Sequence, residues 1–439
     1  MHTHHPPYTS LLTHLHTHLP NSGPLYRRIQ HHLAHPSPTA YVLASFAEDS
    51  GDPNPNPDRN KNNDTDNGNN SDNEPWLAAY ADLHAGPDTQ LWLFSSLEST
   101  SNPCHHAQEQ NTNLNSNSKC YHWTEHETST AKSQLLDLFV FIRDTLVPPY
   151  LESLALPSKE TTKTKTVQTD PIDEGVKKIP AHPPTSILAG SVHKEVVRLV
   201  LELAAESRSA AGSLSSSEKQ AQAQKKRRLR ILRGQDIFYA KYCFPSSSST
   251  AKTNKVEEEY VFHDSNGIPG IQEHHIPLVK ARTHIPRSTE ALLAMGGVAL
   301  FHPSSSSSSS AAAAAASSLD SLDSSTVATV LADKDEMPIA WGFLGFDGSL
   351  CSLHVEEEHR GRGLAVLVGR EVMERGVEVF HSHNGTETET ERVSGEQEGE
   401  EWFFADVALE NGASRRVMEK MGGFVGWVVA WMVVEIDGL

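Results

Sequence analysis

The sequence contains little cysteine and few apolar residues for its length. Four cysteines occur in 439 residues, and none of them forms a CxxC pair. We therefore expect neither a disulfide framework nor a structural zinc site, and we predict no metal ligands. Apolar residues make up 37% of the chain, which is low for a compact globule and indicates that some segments stay outside any core.

Long apolar runs and an excess of basic residues are also missing. The longest apolar run begins at Phe424 and is roughly half as long as a bilayer span requires. The first residues lack the charged start and apolar core of a signal peptide. The net charge of −19 argues against a nucleic-acid-binding face. We expect a soluble cytoplasmic protein with neither a membrane nor a nucleic acid as partner. The basic run 225–230 would suit nuclear import, although a solvated linker end explains it more simply.

Polar tracts divide the chain into core-forming segments. Each tract is rich in Ser, Asn, Asp, Glu or Pro and is predicted to be a disordered insert. The tracts cover 49–74, 101–119, 158–184, 207–226, 246–255, 304–325 and 382–400.

The segments between the tracts form two halves in which strands, a helix, a strand, a helix and a strand follow one another. This order predicts an α/β (α+β) fold with domains over 20–245 and 256–439, related by tandem duplication. In the first half a helix from Ala131 is predicted to stop at Pro148. In the second half we predict a strand at Tyr260 and helices over 276–285 and 288–295. The strands predicted at Val298 and Pro338 should form a hairpin that the Ser/Ala tract interrupts.

The segment 347–372 contains the most informative pattern. A predicted strand ends at Val355, a polar turn follows, and Arg360–Ala365 opens a predicted helix. Glycine at positions 361 and 363 lets backbone amides approach a ligand closely, and a helix N-terminus presents unpaired N–H groups. Such a turn can hold a pyrophosphate, whereas a basic turn that happens to contain glycine is the alternative.

The sequence from Arg360 to Ala365 matches the pattern (Gln/Arg)-x-x-Gly-x-(Gly/Ala) of the GNAT (Gcn5-related N-acetyltransferase) superfamily. The segment that begins at Asn411, NGASRRVMEKMGGF, resembles the second signature of that superfamily. The resemblance is closest to the glycine N-acyltransferase-like, or FR47-like, branch. It implies a GNAT fold in the second half and a degenerate GNAT-like lobe in the first, where no glycine motif follows Glu98.

The resemblance also implies an activity and a set of binding residues. The expected reaction moves an acyl group, acetyl above all, from acetyl-CoA or another acyl-CoA to a primary amine on a small molecule or peptide. The backbone of Leu353 and Val355 would pair with the pantetheine arm, and the Val355 amide would also stabilise the oxyanion. The remaining cofactor-binding residues would be Arg360, Gly361, Arg362, Gly363, Leu364, Ala365, Asn411 and Ser414.

The residues that would move protons are less certain from sequence. His354, Glu356 and Asp347 are candidate bases, although a packed or surface histidine and a solvated turn glutamate are the simpler interpretations of the first two. Met418 stands where many relatives carry a tyrosine acid, so the thiolate would leave unassisted or with help from water. A catalytically weak acyl-CoA sensor or scaffold is the alternative function. The acceptor and the oligomeric state stay open, and the acidic composition slightly favours a cationic acceptor.

Overall fold

The structure is a computed structural model of the chain. It describes residues 1–48, 74–100, 123–155, 182–209, 229–246, 259–283, 285–302, 337–383 and 401–439. The tracts predicted as disordered inserts lie outside these residues except at a few of their ends.

The chain forms two compact units. The described residues of the first unit fall within Met1–Val167, Ala181–Lys241 and Val425–Leu439, and those of the second within Tyr242–Phe424. The unit boundaries lie within two strands, which therefore contribute residues to both units. Both units are mixed α/β, as the composition of the segments predicts.

The first unit contains a mixed sheet with helices on both faces. Its strands are β1 (His2–His4), β2 (Tyr41–Ala44), β3 (Leu77–Ala81), β4 (Leu91–Ser95), β5 (Ser186–His193), β6 (Arg230–Arg233), β7 (Phe238–Pro245) and, near the C-terminus, β12 (Phe424–Glu435). Its helices are α1 (Thr9–His16), α2 (Gly23–Ala34), α3 (Glu125–Phe141), α4 (Val147–Ala155) and α5 (Lys194–Ser209).

The strand order in this unit is β1-β2-β3-β4-β5-β12, and β12 also pairs with β6 and β7. The strands β1 to β4 form antiparallel neighbours, whereas β4 and β5 are parallel. Alternate residues of the strands face opposite sides. Leu43 and Leu77 pack against α3 and α5, while Tyr80 and Phe94 pack against α1 and α2.

The predicted end of the α3 segment at the prolines is wrong. The helix begins earlier, at Glu125, where Thr124 and Glu127 form a capping box. It then continues through a π-helical turn, Ile142–Leu146, into α4. Pro148 and Pro149 lie in the first turn of α4, where a missing N–H and a fixed φ are tolerated.

The second unit is built on a smaller antiparallel sheet, β10-β9-β8. Its strands are β8 (Val298–Leu300), β9 (Ala340–Leu344), β10 (Leu350–Val355) and β11 (Trp402–Ala408), and its helices are α6 (Ile276–Ala281), α7 (Thr289–Met295), α8 (Leu364–His383) and α9 (Gly412–Lys420). The pairing of Val298 with Gly342 confirms the predicted hairpin of β8 and β9. Trp341 and Phe343 pack under α6 and α7. On the opposite face, α8 packs near Gly342 through Val368 and Val372.

The strand predicted at Tyr260 is not present as a strand. Val261 and His263 make single bridges to Phe301 and Pro269, because the Asp264 carboxylate accepts bonds from Asn266 N and Ile268 N and closes a turn there. The N-terminus of α7 agrees with the sequence, since the Ser288 hydroxyl accepts a hydrogen bond from Ala291 N at 3.0 Å.

One order of elements occurs twice along the chain. Two helices, three antiparallel strands, a long helix, a strand, a helix and one or two strands follow one another from α1 to β7 and again from α6 to β12, although β12 after Phe424 belongs to the first unit. In each unit, the third of those strands is parallel to the strand after the long helix and pairs with it at one position, Leu91 with Ala189 and Ser349 with Phe404. This shared detail supports a tandem duplication. None of the helices described is both long and apolar enough to span a bilayer.

Candidate functional site

The turn between β10 and α8 is shaped by its glycines. Gly361 and Gly363 have φ values of 81° and 83°, in the left-handed region that side chains rarely adopt. A Cβ built on either glycine would meet no atom of the described residues within 4 Å. The space beside the turn is therefore open, and a ligand could lie against the backbone.

The amides of this turn are available to a ligand. Within the described residues, no acceptor bonds to the N–H groups from Gly361 to Ala365, and the first N–H bonded in this helix is that of Val366, to the Gly363 carbonyl. Unpaired N–H groups at the start of a long helix carry partial positive charge and suit an anion. These donors and the open space fit the pyrophosphate of an acyl-CoA.

The arginines of the motif bond to neighbouring protein groups. Arg360 Nε donates to the Val355 carbonyl at 3.0 Å. Arg362 Nη1 donates to Tyr260 Oη at 2.7 Å and to Glu259 Oε1 at 3.1 Å. These contacts hold the turn in place, and no sequence pattern indicated the part that Glu259 and Tyr260 play.

Among the described residues, no strand pairs along most of the edge of β10 that faces away from β9. Its start is joined to β11 by the bridge of Ser349 with Phe404 and by the bond from Phe404 N to the Gly348 carbonyl at 3.0 Å. Beyond that position, no β10–β11 pair exists among the residues of these two strands. The strands therefore separate and leave an edge to which an extended ligand could add.

Val355 presents its backbone to this edge. The Glu356 amide donates to the Ile339 carbonyl, and His354 pairs with Trp341. Because bonded and non-bonded pairs alternate in an antiparallel ladder, the Val355 N–H and C=O face away from β9. Between Cys351 and His354 the register shifts, so the alternation places the Val355 contact, but not the Leu353 contact, on the accessible side.

His354 lies on the face of β10 that α6 and α7 cover. Its ring stacks on Trp341 with 4.6 Å between centroids and 24° between planes. Its Nε2 lies 3.9 Å from Glu356 Oε2 and has no hydrogen-bond partner among the described residues. Burial lowers the pKa of His354 and outweighs the opposing effect of Glu356, while Arg360 and Arg282 lower the pKa further. Burial therefore favours the neutral, proton-accepting form of the ring.

The other candidate bases have different surroundings. Both Glu356 carboxylate oxygens accept bonds from Arg282 Nε, at 2.9 and 3.2 Å. Asp347 is buried in the β9–β10 turn, where Oδ2 accepts from Ser349 Oγ at 2.5 Å. Because β10 runs from this turn to Val355, Asp347 is on the order of 20 Å from the glycine turn at residues 361–365, which we call the cradle. The structure thus brings His354 and Glu356 together and leaves Asp347 at the opposite end of the strand.

Asn411 begins α9 as expected from the second signature. Its Oδ1 caps the helix by accepting from Ser414 N at 3.0 Å. Met418 is buried in the same helix. Tyr242 contacts α9 as well, but its hydroxyl is engaged by Glu419 Oε1 at 3.2 Å and Arg415 Nε at 3.3 Å. Burial is the main cause that raises the pKa of Tyr242. The hydroxyl fixes α9 and is not free to act as the missing acid.

A family model described as "Acyl-CoA N-acyltransferase verG N-terminal domain" matches residues 1–242. The chain belongs to this acyl-CoA N-acyltransferase family. Its resemblance to the GNAT superfamily is thereby confirmed, and the family implies an acyl-CoA co-substrate and an amine acceptor. No curated protein matches the chain.

Solved structures similar to this acyltransferase include three with low sequence identity. A Drosophila protein has 11% identity and a TM-score of 0.44, and the match covers 98% of this chain and 97% of that one. A GCN5-related N-acetyltransferase from Kribbella flavida has 10% identity and a TM-score of 0.26, covering 47% of this chain and 60% of its own. A GNAT-family acetyltransferase from Novosphingobium aromaticivorans has 10% identity and a TM-score of 0.26, and the match covers 47% of this chain and 67% of that one.

Proposed function

We propose that the second unit transfers an acyl group, acetyl in the first instance, from acyl-CoA to a primary amine. The observation that carries this proposal is the junction of β10 and α8. There the unbonded amides of residues 361–365 adjoin the free edge of β10. An acyl-CoA whose pyrophosphate binds these amides would extend its pantetheine arm along Leu353 and Val355.

His354 is the base in this proposal. Its neutral ring can take the proton that the amine loses as it attacks the thioester carbonyl. The Val355 N–H, which faces the free edge, stabilises the oxyanion. Glu356 neutralises Arg282 beside the imidazole, and Asp347 takes no part. In this proposal Asn411 and Ser414, at the start of α9, also bind the cofactor.

Thiol release from acetyl-CoA, measured with and without a pool of primary amines, tests the proposal. We expect release that depends on the amines and a new amide product by mass spectrometry. Binding of acetyl-CoA without amine-dependent release would support a sensor or scaffold instead. The same pool, divided by charge, identifies the class of acceptor.

A further inference from the structure

Ser352 has a backbone conformation that serine rarely adopts. Cys351 pairs with Phe343 and His354 pairs with Trp341, so Ser352 and Leu353 together oppose the single residue Gly342. This is a β-bulge, and Ser352 has φ 50°, the left-handed value at which such bulges usually carry glycine. A side chain at this position costs backbone energy that glycine would avoid.

The Ser352 side chain is unfavourable in a second, independent way. Its Oγ is buried and has no hydrogen-bond partner among the described residues. A buried hydroxyl without a partner loses its bonds to water and gains nothing in return. Strain and an unsatisfied polar group at the same residue need an explanation, and for Ser352 the position of the residue on β10 beside the proposed path of the acyl-CoA supplies one.

The bulge lies where the thioester of a bound acyl-CoA would be. The pantetheine arm would leave the cradle at Gly361 and pass Val355 and Leu353, so the next position along β10 is Ser352. The end of α9 is close to this strand, since Leu350 and Met421 lie 3.3 and 2.6 Å from a Cβ built on Gly369. Met418 is one turn earlier in α9 and supplies no proton donor.

We propose that the Ser352 hydroxyl donates a hydrogen bond to the sulfur of the departing coenzyme A. The inference rests on the proposed function. The amine lone pair forms the C–N bond, and the C–S bond breaks with its electron pair going to sulfur. The amine proton passes to His354, and water protonates the released thiolate. Ser352 keeps its own proton throughout and stabilises the charge that develops on sulfur.

Kinetics of Ser352→Ala and Ser352→Gly test this assignment with acetyl-CoA and the amine pool. A hydrogen bond to a charged sulfur should be worth roughly 10- to 100-fold in kcat, with KM for acetyl-CoA unchanged. The selenium analogue of acetyl-CoA, whose selenolate is a better leaving group, should reduce this difference to a few-fold. Ser352→Gly should also raise Tm, because it relieves the left-handed strain.

Ser191 provides a matched control in the first unit. It has φ 53° and a buried Oγ without a hydrogen-bond partner among the described residues. Ser191→Gly should raise Tm in the same way and leave kcat unchanged. Wild-type kcat in both Ser352 variants, or an equal loss with the sulfur and selenium substrates, would overturn the assignment. Acetyl-CoA binding without amine-dependent release by the wild type would overturn the proposed function and this inference together.

Discussion

At the scale of single residues, the environment of His354 determines at which pH a base is available. The imidazole lies against Trp341, and its burial, aided by Arg360 and Arg282, lowers its pKa below the ordinary value of 6.5. A base with a lowered pKa stays deprotonated to lower pH. The acid form therefore predominates only at pH values below 6.5.

We accordingly predict that kcat/KM falls on the acid side with an apparent pKa below 6.5. His354→Gln should lower kcat/KM by about 100-fold or more and remove this acid limb. His263→Gln, a histidine of the same unit whose Nδ1 contacts the Asp264 carbonyl, is the control and should keep both rate and profile. An unchanged acid limb in His354→Gln would assign the base to another group.

Glu98 and His193 link the stability of the first unit to pH. Burial raises the pKa of Glu98 to about 8, partly offset by the bond from Ser95 N, and lowers the pKa of His193 to about 4. The folded state therefore holds a proton on Glu98 that the unfolded state loses from about pH 4.5 upwards. This contribution to stability is complete below pH 4.5 and is lost as the pH rises towards 8. His193 has the opposite sign, and its contribution is lost as the pH falls from 6.5 to 4.

From this we predict that Tm of the protein decreases between pH 6.5 and pH 9. Glu98→Gln keeps the shape of the side chain but cannot ionise, so its Tm should fall much less over this range. Each pKa unit corresponds to about 1.4 kcal/mol, so the difference should be readily measurable by scanning calorimetry. Glu74→Gln, an exposed carboxylate beside His126, is the control and should follow the wild type. Parallel wild-type and Glu98→Gln curves would contradict a buried neutral carboxyl.

At the scale of elements, the sequence predicts what local pattern and turn chemistry determine. The hairpin of β8 and β9, the cap at Ser288 and the glycine turn at Gly361 all follow from residue types at fixed spacing. The continuation of α3 through a π-helical turn does not, because proline signals a stop unless tertiary packing places it in a new first turn.

Prediction of the candidate site from sequence is limited in the same way. The cradle and the strand before it were predictable from the glycine motif, but the bulge at Ser352 was not, because it depends on the register between β10 and β9. The stack of His354 on Trp341 and the ion pair of Glu356 with Arg282 join residues far apart in sequence. No local pattern encodes such contacts.

We predict that the tract 304–325 is dispensable for the β8–β9 hairpin. Val298, Ala299 and Leu300 pair with Gly342, Trp341 and Ala340, and these strand residues are buried, so the hairpin has its own stabilising contacts. Loop length adds closure entropy only slowly, about 0.6 kcal/mol per doubling. Replacement of the tract by a short Gly/Asn turn should keep Tm within a few degrees and preserve coenzyme A binding by calorimetry. A larger loss of Tm would show that the tract contributes packing.

At the scale of the whole molecule, the family match and the chemical motif fall on different halves. The verG model matches residues 1–242, whereas the glycine turn is at 361–365 in the second unit. In the first unit, the strand equivalent to β10 is β4, and it leads into the turn Ser96–Thr100, which contains the buried Glu98. A carboxyl group there replaces the glycine amides, and it would repel a phosphate whenever it ionised.

This difference predicts one coenzyme A site per chain, in the second unit. Isothermal titration calorimetry should give a stoichiometry near one, and Gly363→Glu should abolish binding. That substitution adds a side chain where φ is 83° and places a negative charge where the diphosphate must approach. Gly86→Glu is the matched control, because Gly86 lies in the first unit with φ 64° and equally open space. Both variants should lose similar stability from backbone strain, but Gly86→Glu should bind coenzyme A like the wild type. A second binding event, or binding retained in Gly363→Glu, would place a functional cofactor site in the first unit. It would refute the prediction that only the second unit binds coenzyme A.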